Sequence, residues 1–217
     1  MAPAALLFDL DGVIVASEQH WVSTEADFLS GLIPEWSEVN QRRLLGLSVR
    51  DVFRLLVSEF GLQTRWDKFL EFYDKRAIPI YSELAAEVPG ATGLMRAASA
   101  AGIPIGIVSN SPQRWIRMVV DRFKLAPLLT CTVSSEDVST PGKPDPGVYL
   151  HALKLIGAAP GQTFAVEDSR KGIESVKAAG ITCVGLLNGY NSRNHLAAAD
   201  VVVDGFQDSW WEKITQS

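Results

Sequence analysis

Short apolar runs punctuate the chain, and each ends abruptly in a polar or acidic residue. Ala4–Phe8 stops at Asp9, Ile103–Val108 at Ser109, Cys131–Val133 at Ser134 and Thr163–Val166 at Glu167. Thr182–Leu187 stops at Asn188, and Val201–Val203 at Asp204. Runs this short, bounded by turn residues and rich in β-branched side chains, predict strands buried on both faces. Between them lie segments of helical periodicity. Thr92–Ala101 is Ala-rich and closes at Gly102, and Pro112–Phe123 repeats Trp115, Val119 and Phe123 at every fourth position. Pro146–Ile156 stops at Gly157, while Ser169–Ala179 opens on an N-cap residue and stops at Gly180. Single helices alternating with strands predict an α/β fold, a doubly wound parallel sheet with helices on both faces. Ligands of such sheets bind beyond the carboxyl ends of the strands. Asp9, Ser109 and Asp168 all fall at that end.

One stretch breaks the alternation. From about Glu18 to Ala86 no strand is evident, only helical signals. Ser48 and Thr64 each precede an Asp by three residues, the spacing of a capping box with Asp in the acidic position. Leu55, Leu56 and Phe60, then Phe69, Phe72 and Tyr73, recur at helical spacing and read as core. A helical block inserted after the first strand predicts a small cap domain over the site, residues 17–87, with 1–16 and 88–217 forming the core. The chain is expected to cross between them near Val15–Ser17 and near Glu87–Gly90.

Composition narrows the class. The 217 residues are 47% hydrophobic and 21% charged, as in an ordinary globular protein. With 20 basic against 25 acidic side chains, the net charge of −5 carries no nucleic-acid footprint. An anionic substrate, if there is one, would have to be drawn in by a local positive site or a bound metal. Cys131 and Cys183 sit in apolar runs without metal-ligand spacing, and read as inert core thiols in a reducing compartment. Met1–Phe8 has no basic region of the kind a signal peptide carries, and no apolar stretch approaches about 20 residues. A cytoplasmic protein with no membrane partner is expected. Trp210 and Trp211 read as core residues.

Four clusters carry chemistry. Asp9 and Asp11, in Phe8-Asp9-Leu10-Asp11-Gly12, lie at the end of a buried strand, where a carboxylate is costly unless something pairs with it. Glu167-Asp168-Ser169 supplies more acid at a later strand end. If these ends meet, the carboxylates repel, and a hard divalent ion resolves the conflict. With only oxygen ligands and no nearby His or Cys, Mg²⁺ fits. Gly142-Lys143-Pro144 holds an ammonium in a stiff loop, able to pair with carboxylate and receive a phosphate oxygen. An X-Pro bond leaves a cis form accessible there without requiring it. Ser109-Asn110-Ser111-Pro112, a strand end running into a helix, offers hydroxyls and N–H groups to an anion.

In this order and spacing, Asp9-x-Asp11-Gly12, Ser109, Lys143 and Glu167-Asp168 resemble the four motifs of the haloacid dehalogenase-like hydrolases. The helical insert resembles the cap of the branch that includes β-phosphoglucomutase and phosphoglycolate phosphatase. The resemblance spans essentially the whole chain and implies a phosphatase. Asp9 would be the nucleophile, forming an aspartyl-phosphate. Asp11 would be general acid and then general base. Asp168, the Asp9 carboxylate and the Asp11 backbone carbonyl would hold Mg²⁺, with Glu167 close by. Ser109 and the Asn110 amide would bind phosphoryl oxygens, and Lys143 would neutralise charge. Asp11 argues against a dehalogenase, and against a phosphonate-cleaving relative that would use a cap lysine such as Lys68 or Lys75.

Specificity would come from the cap, with His20, the Gly46-Leu47-Ser48 turn, Arg50, Lys75 and Arg76 as candidates. The expected partner is a small phosphorylated metabolite, such as a sugar phosphate, met by a monomer. Two rivals share the motifs: a phosphomutase similar to β-phosphoglucomutase, and a non-catalytic phosphate-binding scaffold.

Overall fold

In a computed structural model, residues 3–44 and 46–207 are described. Trp210 and Trp211 lie outside them. The strands are β1 (Ala5–Phe8), β2 (Ile105–Ser109), β3 (Cys131–Ser134), β4 (Thr163–Glu167), β5 (Thr182–Leu186) and β6 (Val201–Val203). They form one parallel sheet in the order β3-β2-β1-β4-β5-β6. The strand order reverses direction between β1 and β4, and ligands of such sheets bind outside the strand ends at that point.

Strand periodicity separates the two faces. Leu6, Phe8, Ile105 and Ile107 point to one side, with Leu94, Met95 and Ala98 of α5 (Ala91–Ala100) and Trp115, Ile116 and Val119 of α6 (Gln113–Arg122). Leu7, Val108 and Ala165 point to the other. There they meet Val148, Tyr149 and Ala152 of α7 (Gly147–Ile156) and Ile173 and Val176 of α8 (Arg170–Ala178). Burial on both faces holds for the inner strands but not at the edges. Cys131 and Thr132 on β3 are half-buried and Val201 on β6 is exposed, because each strand has only one neighbour. Cys131 is thus not the fully buried thiol expected, although Cys183 is. Both thiols are free, and burial pushes Cys131 up to about 11 and Cys183 higher still. Neither offers a thiolate near neutral pH.

Between β1 and β2 the chain is helical: α1 (Glu18–Leu32), α2 (Glu38–Arg42), α3 (Val49–Phe60) and α4 (Trp66–Pro79). Leu56, Phe69 and Tyr73 are buried as expected, in a cluster continuous with the first face of the sheet. Ser48 caps α3, its hydroxyl accepting the Asp51 N–H at 3.1 Å. The Thr64 expectation fails. The cap position of α4 is Arg65, and Asp67 is held by that arginine at 2.9 Å instead. Pro79 cannot donate to the preceding turn, and there α4 gives way to a π-helical turn, Ile80–Leu84. The two ends of this helical stretch are tied together by Ala16 N–H to Ala86 C=O (2.8 Å) and Val88 N–H to Ile14 C=O (2.9 Å). Among the described residues, no helix is long and apolar enough to cross a membrane.

Candidate active site

The first, second and fourth strands deliver their terminal residues to one point. Asp9 follows β1, with its N–H bonded to the Val166 carbonyl of β4 at 3.0 Å. Glu167 ends β4, and Asp168 follows it. The carboxylates of Asp9, Glu167 and Asp168 each place an oxygen within 4.8 Å of the others, and all three residues are buried. Lys143 reaches the same point from the loop before α7. Its ammonium donates to Asp9 Oδ1 (2.5 Å), Glu167 Oε1 (2.7 Å) and the Val108 carbonyl (2.8 Å). The Lys143–Pro144 peptide is cis.

The electrostatics follow from burial. Burial disfavours the charge on Lys143, but Asp9 and Glu167 outweigh it and hold the ammonium above the ordinary lysine range. Burial, reinforced by Glu167 and Asp11 and opposed by Lys143, holds Asp9 well above the usual carboxylate range. Asp168 is raised likewise by burial, then by Glu18, Asp9 and Glu167. Three buried carboxylates against one ammonium leave negative charge uncompensated. That donor set, all oxygen and without His or Cys, fits a hard divalent cation.

Neighbouring residues fix these groups. Asp168 Oδ2 accepts Asn188 Nδ2 at 2.7 Å, and that nitrogen also reaches the Gly12 carbonyl at 3.1 Å. Gly12 has φ +77°, and a Cβ there would sit 2.0 Å from Asp168 Oδ2, so glycine is required on both counts. The Tyr149 hydroxyl donates to Glu167 Oε1 at 2.7 Å, and Ser169 donates to Glu167 Oε2 at 3.2 Å.

Asp11 is placed apart. Its carboxylate accepts Ser17 (2.5 Å), Tyr81 (2.7 Å) and Ser111 (2.7 Å), and it is not in the cluster of Asp9, Glu167 and Asp168. Ser109 is buried and accepts the Ser111 N–H at 3.0 Å. The Asn110 side chain is committed to structure. Its Oδ1 accepts the Lys143 N–H (2.8 Å), and its Nδ2 donates to the Gly46 carbonyl of the helical block (2.9 Å). Any phosphate contact from Asn110 must therefore come from its backbone.

A cavity of about 460 Å³ opens from this cluster towards the helical block. Of the cap candidates, Gly46 and Leu47 of the turn line it. Ser48 is used as a helix cap, and Arg50 lies over the Trp66 ring at 5.1 Å. Lys75 pairs with Glu71 at 2.9 Å, and Arg76 stacks 3.3 Å from the Phe72 ring centroid. His20, on α1, lies 3.4 Å from Gln19 Nε2 and does not line the cavity. The helical block instead offers Glu18, Trp21, Glu25, Tyr73 and Tyr81. These are spaced as ordinary helix residues, so the sequence singled none of them out as a binding group.

The family model of the haloacid dehalogenase-like hydrolases matches residues 6–186. A phosphorylated carbohydrates phosphatase of Thermotoga maritima is 26% identical over 199 residues, covering 91% of this chain and 92% of that one. A phosphoglycolate phosphatase of Pseudomonas putida is 28% identical over 204 residues, covering 87% of this chain and 71% of that one. The structure of CbbY from Rhodobacter sphaeroides in complex with phosphate superposes with a TM-score of 0.83 at 19% identity, covering 99% of this chain and all of that one. The chain belongs to the haloacid dehalogenase-like hydrolases.

Proposed function

We propose that the chain is a Mg²⁺-dependent phosphatase that hydrolyses a small phosphate ester through an aspartyl-phosphate on Asp9. The observation that carries this reading is the Lys143 ammonium lying between Asp9 and Glu167, with Asp168 in the same buried cluster. The relatives named as phosphatases support it.

Asp9 is the one carboxylate of the cluster at the tip of the central strand, positioned by Lys143 for attack on phosphorus. Phosphoryl transfer demands positioning and charge stabilisation more than special reactivity, and Lys143 supplies a fixed positive charge. Asp9, Asp168 and the Asp11 backbone carbonyl would hold the Mg²⁺. Glu167 orients Lys143 from the far side. A bound divalent cation neutralises the carboxylates and polarises a phosphoryl oxygen. Asp11, held by three hydroxyls outside the cluster, gives its proton to the leaving oxygen and then takes one from the attacking water. Ser109 and the backbone at Asn110 receive phosphoryl oxygens. Residues 17–87 act as a lid on the core of 1–16 and 88–217, joined at the paired crossings.

The test is release of inorganic phosphate from the ester p-nitrophenyl phosphate in the presence of Mg²⁺, by the native protein and by Asp9→Asn. The native protein turns over, and the variant loses more than about a thousandfold in rate. A variant that keeps its rate refutes the role of Asp9.

A further inference from the structure

Of the ion pairs among the described residues, one joins the helical block to the core: Asp74 on α4 with Arg114 on α6. Asp74 Oδ1 accepts Arg114 Nε at 2.8 Å and, at the same distance, the indole N–H of Trp115. Trp115 is buried, and its ring stacks on Trp21 of α1 with 5.1 Å between centroids. A single carboxylate of the block therefore holds two consecutive residues of α6.

The guanidinium has a second partner, on the core. Arg114 Nη1 donates to Glu136 Oε1 at 3.1 Å, and Glu136 Oε2 accepts the Gln113 N–H at the start of α6 at 3.1 Å. Glu136 sits in a short turn after β3 that is tied to the loop beyond β2. There Ser134 and Ser135 donate to the Ser111 and Asn110 carbonyls at 2.7 and 2.9 Å. Arg114 thus reaches the block through Nε and a fixed point of the core through Nη1.

The bond to Asp74 is one that can part at low cost. The Asp74, Arg114 and Glu136 side chains are 35%, 38% and 48% exposed, so water and salt screen both pairs. Arg114 Nη2 lies 2.8 Å from Asp74 Oδ1 but outside hydrogen-bond geometry, which leaves it unmet while the pair is closed. When Asp74 moves away, Glu136 stays beside the guanidinium, so no unpaired charge is left on Arg114.

We propose that Arg114 is a two-position latch for the lid, shared between Asp74 and Glu136 while the block is seated and held by Glu136 alone when it lifts. This rests on the reading of residues 17–87 as a lid. Asp74 sets how firmly the block sits, and Glu136 competes with it for the same cation. Because Trp115 and Trp21 both line the cavity, the latch and that part of the cavity wall form and separate together.

The experiment follows hydrogen exchange of the Trp115 indole N–H, one of six indole signals, assigned by its loss in Trp115→Phe. Backbone amides of β1 serve as the measure of global unfolding. In the native protein the indole exchanges faster than the β1 amides, through lifting of the block. Arg114→Gln speeds indole exchange about threefold, the factor that an ion pair of this exposure carries. Glu136→Gln slows it about twofold, because the pair it removes is stronger in the lifted state than in the seated one. The same variant leaves the β1 amides exchanging as fast as before or faster, so the two probes move apart. Should Arg114→Gln fail to fold, Glu136→Gln decides. Indole exchange equal in all three proteins, or faster in both variants, overturns the latch and leaves the lid standing. A native indole that exchanges only as fast as the β1 amides removes the lid reading and the latch with it. Turnover is no part of this readout, so the phosphatase reading stands or falls separately on p-nitrophenyl phosphate.

Discussion

A single methyl group tests how tightly the site is built. A Cβ on Gly172 would lie 1.9 Å from Glu167 Oε2, so the first turn of α8 can approach Glu167 only through glycine. Gly172→Ala is expected to push Glu167 off Lys143 and Tyr149, with a loss of about 1–3 kcal/mol in urea unfolding and a fall in turnover. Gly161→Ala, where a Cβ would meet nothing within 4 Å, is the near-neutral comparison. Glu25 gives a second residue-scale prediction. Burial, eased by Tyr73 and Gln41, raises its carboxyl from 4.5 to about 7. The folded protein keeps the proton up to about pH 7, while the unfolded chain releases it near pH 4.5. Stability therefore falls as pH rises through that window, by about 3 kcal/mol in all. Glu25→Gln should flatten this part of the stability profile and melt higher than the native protein at pH 8. Equal slopes between pH 4.5 and 7 for both proteins would refute the assignment. Asp9 and Asp168 were legible in the sequence because charge at the tip of a buried strand demands an explanation, and Lys143 because Gly142 and Pro144 hold its loop stiff. Glu25 was not, because an acidic residue inside a helix is ordinary until the helix is seen to face a cavity.

Helix and strand existence followed from periodicity, since apolar alternation and Gly stops are local signals. What the pattern could not carry was the join between elements. Thr64 has the spacing of a cap, yet the helix starts a residue later, with Arg65 at the cap position and its guanidinium on Asp67. Likewise nothing local announces the π-helical turn after Pro79, whose open carbonyls are met from another element. Arg122, at the end of α6, donates to the carbonyls of Tyr81 (3.2 Å), Glu83 (2.8 Å) and Ala85 (2.7 Å). This guanidinium closes the turn that presents Tyr81 to Asp11. Arg122→Ala leaves three carbonyls without their charged donor, and a loss of about 1.5–3 kcal/mol is expected. Limited proteolysis should then cut first between residues 80 and 88. A native-like cleavage pattern and unchanged unfolding midpoint would show that water satisfies those carbonyls equally well.

At the scale of the whole molecule, the motifs between residues 9 and 168 converge because β1 lies between β2 and β4, an arrangement that strand alternation predicts only as a class. How the helical block sits on the core depends on long-range packing of Trp21, Tyr73 and Trp115, which no local pattern specifies. The convergence has a thermodynamic signature separable from turnover. The cluster of Asp9, Glu167 and Asp168 exists only when β1 and β4 are paired, so a cation that binds it binds the folded state and not the unfolded chain. At a hundredfold excess over its Kd, such a ligand stabilises by about 2.7 kcal/mol. For a chain of this size that corresponds to a rise of about 5–10 °C in Tm. Mg²⁺ added to chelator-treated protein should produce this rise, and Asp168→Asn should abolish it while retaining the same fold by circular dichroism. The variant also relieves like-charge repulsion beside Asp9, so its metal-free Tm should lie at or above the native value. If Mg²⁺ moves the Tm of both proteins equally, the cation binds elsewhere, and the strand-tip carboxylates are held together by Lys143 alone.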